Sequence, residues 1–105
     1  MTSSRPLALV TGASSGLGAE IARQLAAQGH DLALAARSTD KLSALAEELN
    51  AKHGIVATIF TVDFALAGAA DYLYQALANA RLRVDVLVNN AGLGLAGAFA
   101  GNDVA

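Results

Sequence analysis

Apolar residues follow two alternating rhythms along the chain. Short runs that are apolar on both faces occur at Leu7-Ala8-Leu9-Val10-Thr11, at residues 31–37 (DLALAAR), at 55–63 (IVATIFTVD) and at 84–89 (VDVLVN). Between them lie longer stretches in which leucine returns every three or four positions among alanines and charges. The first rhythm belongs to buried strands of a parallel sheet and the second to amphipathic helices. The pattern predicts β1 at 6–11, α1 at 17–28, β2 at 31–37, α2 at 39–52, β3 at 55–62, α3 at 66–81 and β4 at 84–89. The predicted apolar stripes are Leu17, Ile21 and Leu25 in α1, Leu42, Leu45 and Leu49 in α2, and Leu66, Leu73 and Leu77 in α3. Gly29 and Gly54 stand just past α1 and α2, where helices end. Glu48 and Lys52 form a favourable i,i+4 pair on α2.

Strands alternating with helices give right-handed crossovers and a parallel sheet. The fold class expected is α/β, a Rossmann-like doubly wound parallel sheet truncated after the fourth strand. In that order β4 lies beside β1 on the side away from β2. The ligand crevice then opens at the carboxyl ends of β1 and β4, where the strand order reverses. Residues 1–105 are expected to form a single, incomplete domain.

Composition narrows the classes of function. Hydrophobic residues make up 54% and charged residues 15% of the chain, so a packed core is affordable and disorder is not expected. A net charge of −2 and a scatter of seven basic residues argue against a nucleic-acid partner. There is no cysteine, hence no disulfide framework and no thiolate metal site. The apolar run after Arg5 is too short for a signal-peptide core, and the uncharged stretch 91–101 is too short to span a bilayer. The expectation is a cytoplasmic protein without a membrane partner. His30 and His53 read as capping or solvent-facing groups, and Glu47 and Glu48 as a solvated helix face. No metal site is expected.

The chemistry concentrates at the strand ends. Thr11-Gly12-Ala13-Ser14-Ser15-Gly16-Leu17-Gly18 follows β1 and opens α1. One glycine permits the sharp turn, one lets phosphates approach the backbone, and one lets the helix lie against the sheet. The first-turn N–H groups and the helix dipole then face an anion. The competing reading is a glycine-rich turn that binds nothing; a P-loop is excluded because no Gly-Lys-Ser/Thr follows. At the end of β2, where an NAD-selective site places an acid, the chain has Ala36-Arg37. Asp31 opens β2 at the wrong end and is assigned to the turn. Arg37 offers a planar donor fork for a 2′-phosphate, which favours NADP(H) over NAD(H); the alternative is an ordinary surface arginine. Asp63 after β3 is placed to accept from an adenine amino group, to cap α3, or both. β4 runs into Asn89-Asn90-Ala91-Gly92, where two amides can tie strand ends together and Gly92 leaves room for a ribose.

With these residues in view, the chain resembles the N-terminal half of a short-chain dehydrogenase/reductase. Residues 11–18 match that family's cofactor fingerprint, Asp63 its adenine-contact acid, and Asn89-Asn90-Ala91-Gly92 its second fingerprint. Ala36-Arg37 resembles NADP-preferring members, and Gly97-Ala98-Phe99 a looser stretch that follows. The resemblance implies a cofactor site of Gly12, Ser14, Ser15, Gly16, Leu17, Gly18, Arg37, Asp63, Asn90, Ala91 and Gly92. Within it, Ser14 and Ser15 donate to phosphates and Leu17 lies against the cofactor. It also implies α1 and α2 on one sheet face and α3 on the other.

The family's proton relay uses a serine, a tyrosine and a lysine, the last two spaced Tyr-x-x-x-Lys. Four residues after Tyr72 and Tyr74 stand Ala76 and Ala78, and the lysines, Lys41 and Lys52, lie on α2. Asn102 comes too early for the family's catalytic asparagine. No catalytic residue is assigned, and Tyr72 and Tyr74 read as packing or surface groups. The leading expectation is the N-terminal part of an NADP-dependent oxidoreductase, inactive alone, acting in full length on a carbonyl or alcohol substrate and able to form homo-oligomers. The alternatives are a non-catalytic NADP(H)-binding or nucleotide-binding module and an S-adenosylmethionine methyltransferase, the latter disfavoured by Ala36-Arg37. The free edge of β4 and a bare sheet face further predict a chain that is marginally folded or aggregates.

Overall fold

The computed structural model describes residues 5–90 and the backbone of 103 and 104. Two strands carry its centre. β1 (Leu7–Thr11) and β2 (Asp31–Ala36) are buried along their whole length, as strands covered on both faces must be. They pair in parallel from Leu7↔Asp31 to Thr11↔Ala35. β3 (Ala57–Thr61) pairs with the far side of β2, and β4 (Val86–Asn89) with the free side of β1. Strand order is β3-β2-β1-β4-β5, and all pairings are parallel. β5 (Asp103–Val104) meets β4 at Val86 and Leu87. The edge of β4 expected to be wholly free is therefore covered along these two residues.

α1 (Gly16–Ala27) and α2 (Thr39–His53) share one face of the sheet, and α3 (Ala69–Asn79) takes the other. On the first face Leu42, Leu45 and Leu49 of α2 pack with Val10, Leu32 and Leu34. On the second, Leu73 and Leu77 of α3 pack with Leu9 and Leu87. The stripe expected for α2 is buried as read.

Two stripes differ from expectation. α1 buries Gly18, Ala22 and Ala26, while Leu17 is 66% exposed and Ile21 is half-buried. The helix lies so close to the sheet that only small side chains fit between them. Leu66 stands in the turn before α3 and is 65% exposed, because the helix begins three residues later at Ala69.

Polar ties hold the elements in register. Asp85 Oδ2 accepts from Leu7 N (2.8 Å) and Asp31 Oδ1 from Val56 N (2.9 Å). Asp31 therefore does sit at the amino end of β2, away from the crevice. Arg23 of α1 reaches Glu48 of α2 with two donors, at 2.8 and 3.3 Å. That hydrogen bond, and secondarily the guanidinium's charge, hold the Glu48 carboxyl below its ordinary pKa. His30 is half-buried, and its Nδ1 is buried without a hydrogen-bond partner, unlike the capping or solvent role expected. No helix among the described residues is long and apolar enough to cross a membrane.

Candidate functional site

The turn after β1 is organised around one carbonyl. Gly12 takes φ = 65°, a left-handed conformation that glycine adopts without a Cβ clash. Its carbonyl oxygen then receives Ser15 N (3.1 Å), Ser15 Oγ (2.9 Å) and Asn90 Nδ2 (3.2 Å). Ser15 is the N-cap of α1, and its Oγ accepts from Gly18 N at 3.1 Å. The same oxygen lies 3.0 Å from Asn90 Nδ2. Its one proton and both lone pairs are thus spent within the protein. The resemblance gave Ser15 to phosphates; the geometry gives its hydroxyl to the turn.

Asn90 joins that turn to β4. Its two amide protons hold Gly12 O and Ser15 Oγ, and beside it Thr11 Oγ1 lies 3.2 Å from Asn89 Oδ1. The adjacent amides do tie the ends of β1 and β4 together. Gly18 completes the approach. A Cβ built there would stand 2.2 Å from Gly12 O and 2.9 Å from Asn90 Nδ2.

Donors remain after this accounting. Among the described residues, the backbone N–H groups of Gly16 and Leu17 have no protein acceptor. They belong to the first turn of α1, at the positive end of its dipole. A Cβ at Gly16 would meet nothing within 4 Å. The space beside Gly16 is therefore open, next to two unspent donors.

An open cleft of about 550 Å³ lies beside this turn. Gly12, Ser14 and Ser15 line it from β1 and the turn, Arg37, Ser38 and Lys41 from the end of β2 and the start of α2, and Asp63 from the end of β3. Three strand ends thus bring together the glycine turn, the guanidinium and the carboxylate that the sequence placed in separate segments. One oxygen of Asp63 accepts from Ala65 N at 3.0 Å, closing a local turn. Asp63 does not cap α3, whose N-cap is Gly68. Ser38 caps α2 by position, yet its side chain makes no capping hydrogen bond.

Lys41 was missed in the sequence. It follows Arg37 by four positions in the first turn of α2, and that spacing was the available signal. Ala91, Gly92, Gly97-Ala98-Phe99 and Asn102 lie outside the described residues. Tyr72 and Tyr74 are 60% and 47% exposed on α3. Among the described residues no group of histidines and carboxylates is arranged to hold a metal ion.

A profile described as short chain dehydrogenase matches residues 6–104. Very-long-chain 3-oxoacyl-CoA reductases of Aspergillus clavatus and Meyerozyma guilliermondii are each 44% identical over 85 residues. Each alignment takes in 81% of this chain and 25% of the relative, so the chain spans about a quarter of those proteins' length. An alcohol dehydrogenase from the archaeon Thermococcus sibiricus, complexed with 5-hydroxy-NADP, superposes with a TM-score of 0.78 at 40% identity. That match covers 86% of this chain and 38% of that one. L-sorbose reductase from Gluconobacter frateurii, complexed with NADPH and L-sorbose, gives a TM-score of 0.78 at 36% identity, covering 87% of this chain and 35% of that one.

Proposed function

The chain belongs to the short-chain dehydrogenase family, and on that premise we propose that it is the cofactor-binding part of an NADP(H)-dependent oxidoreductase acting on a carbonyl or alcohol substrate. The observation that carries this reading is the cleft in which Gly12, Ser14, Arg37, Lys41 and Asp63 converge. The residues fit such a cofactor. The N–H groups of Gly16 and Leu17 are free for a pyrophosphate, and the Gly12–Gly18 contact leaves no room for a side chain that would push α1 outward.

Each residue has a task in this reading. Gly16 and Leu17 bind phosphate oxygens through their backbone, with Ser14 as the side-chain donor. Ser15 and Asn90 hold the loop rigid. Exposed Leu17 offers an apolar surface to the cofactor. Arg37 and Lys41 take the 2′-phosphate, and Asp63 accepts from the adenine amino group. Ala91 and Gly92, by resemblance, belong to the cofactor site, where Gly92 leaves room for a ribose. The nicotinamide, when bound, supplies or accepts the hydride. The residues of this chain hold and orient the adenosine and pyrophosphate end. The sequence contains no Tyr-x-x-x-Lys, so we assign it no turnover of its own.

The charge at the end of β2 gives the test. A lost bidentate guanidinium–phosphate contact is worth about 1.5–3 kcal/mol, or roughly ten- to a hundredfold in affinity. Arg37→Ala is expected to weaken NADPH by that factor and to leave NADH nearly unchanged, read by fluorescence titration of both. An unchanged ratio of the two affinities overturns the NADP assignment.

A further inference from the structure

We propose that the opposite end of the sheet carries a second anion site, built on Arg81 and Arg83, for a phosphate group on a small molecule. The proposal is independent of the dinucleotide reading.

A cavity of about 240 Å³ opens at the amino ends of the strands. Arg5, Asp31, Thr58, Arg81, Arg83 and Asp85 line it. Three of the chain's seven lysines and arginines meet there, in a protein whose net charge is −2. The two carboxylates already serve the fold, since Asp31 accepts from Val56 N and Asp85 from Leu7 N. Arg5 reaches the Gly54 carbonyl at 3.4 Å. Among the described residues, neither Arg81 nor Arg83 has a carboxylate within ion-pair distance.

The backbone supplies the second observation. Arg81 follows the C-cap of α3 with φ = 59° and is the one non-glycine residue with positive φ among those described. Its N–H bonds to Ala78 O (3.0 Å), and Leu82 N–H bonds to Leu77 O (2.9 Å), which closes the helix end. Glycine makes that closure without strain, so terminating α3 does not account for an arginine here. What an arginine adds there over glycine is its guanidinium. Guanidinium forks match the oxygens of a phosphate, and the cations lining the cavity outnumber its carboxylates by one. The volume admits a phosphate with a small substituent.

Inorganic phosphate and glycerol 3-phosphate would be titrated separately into the ¹⁵N-labelled chain, at a temperature and concentration where light scattering shows it monomeric and its amide spectrum is dispersed, following backbone amide shifts. We expect saturable movement at Thr58, Arg81, Arg83 and Asp85, distinct from any at Gly16 and Leu17 in the glycine turn. Arg83→Gln should weaken the first set at least about tenfold and leave the second unchanged. Arg81→Gly should weaken it equally while raising Tm in phosphate-free buffer, because glycine relieves the left-handed strain. Loss of binding in a variant more stable than the parent cannot be ascribed to unfolding. Tighter binding of glycerol 3-phosphate supports a phosphate ester as the ligand, and equal binding supports free phosphate. Shifts confined to Gly16 and Leu17, or Arg81→Gly binding phosphate as the parent does, overturn the proposal.

Discussion

At position 18 the missing side chain sets how near α1 comes to the sheet. In an open helix, Gly→Ala stabilises by about 1 kcal/mol. Here the new Cβ would fall 2.2 Å from Gly12 O, a backbone atom held by three hydrogen bonds. Gly18→Ala is therefore expected to destabilise by about 1–3 kcal/mol, as overpacking does, read by urea unfolding. Gly16 gives the contrast. A Cβ there meets open space, so Gly16→Ala should keep or slightly raise stability while weakening cofactor binding about tenfold or more, because it stands before the free N–H groups. If both alanines behave alike in unfolding, the distinction between packing glycine and phosphate-facing glycine fails. Residue type and spacing singled out these glycines, Asn90, Arg37 and Asp63, and the fold places them all at strand ends around the glycine turn and its cleft. Spacing could not show that Ser15 spends its hydroxyl on Gly12 O and Gly18 N, since that depends on the turn's path. Lys41 offered only its four-residue spacing from Arg37, because the folded chain is what brings the first turn of α2 to the cleft that Ser14 lines.

Among the elements, the strands and their order were the easiest to read, because buried parallel strands announce themselves as apolar runs. The face of α1 was misread for a physical reason. Ranking positions by apolar size selects Leu17 and Ile21, whereas a helix drawn close to a sheet buries its smallest residues, Gly18, Ala22 and Ala26. Between α1 and α2 the fold adds the Arg23–Glu48 bridge, with side chains 42% and 38% exposed. The hydrogen bond from Arg23 lowers the Glu48 pKa below its ordinary 4.5, and Arg23, Lys52 and His53 add favourable charge. A lowered carboxyl pKa contributes stability that is complete above the unfolded value and is lost as pH falls through the folded one. Glu48→Gln should therefore lower Tm near neutral pH and flatten the acid limb between about pH 6 and pH 3. The difference from the parent should shrink in high salt, since the pair is half in water. An acid limb of the same steepness in both proteins would remove the bridge from the account.

For the whole molecule, coverage of the sheet is uneven. β1 and β2 are sealed on both faces, yet Val86 and Val88 of β4 are only half-buried where they meet the core beside α1. Among the described residues, β5 pairs with β4 at Val86 and Leu87 alone. β3, at the other edge, is partly exposed throughout. An incompletely covered apolar strand edge is a template for self-association. Fully burying a valine is worth about 1.5–3 kcal/mol, a large part of the roughly 5–15 kcal/mol by which domains are stable. The 105-residue chain by itself is therefore expected to melt over a broad range and to associate as its concentration rises, read by calorimetry together with light scattering. Saturating NADPH should raise the melting temperature, since a ligand of the native state stabilises it by mass action. In the proposed placement the cofactor would join the ends of β1, β2 and β3 through one cleft, so that stabilisation is also expected to sharpen the transition. A sharp, monomeric melt indifferent to NADPH would contradict both the exposed-edge argument and the placement of the cofactor in this cleft. A sharp, monomeric melt that still shifts with NADPH would contradict the first alone.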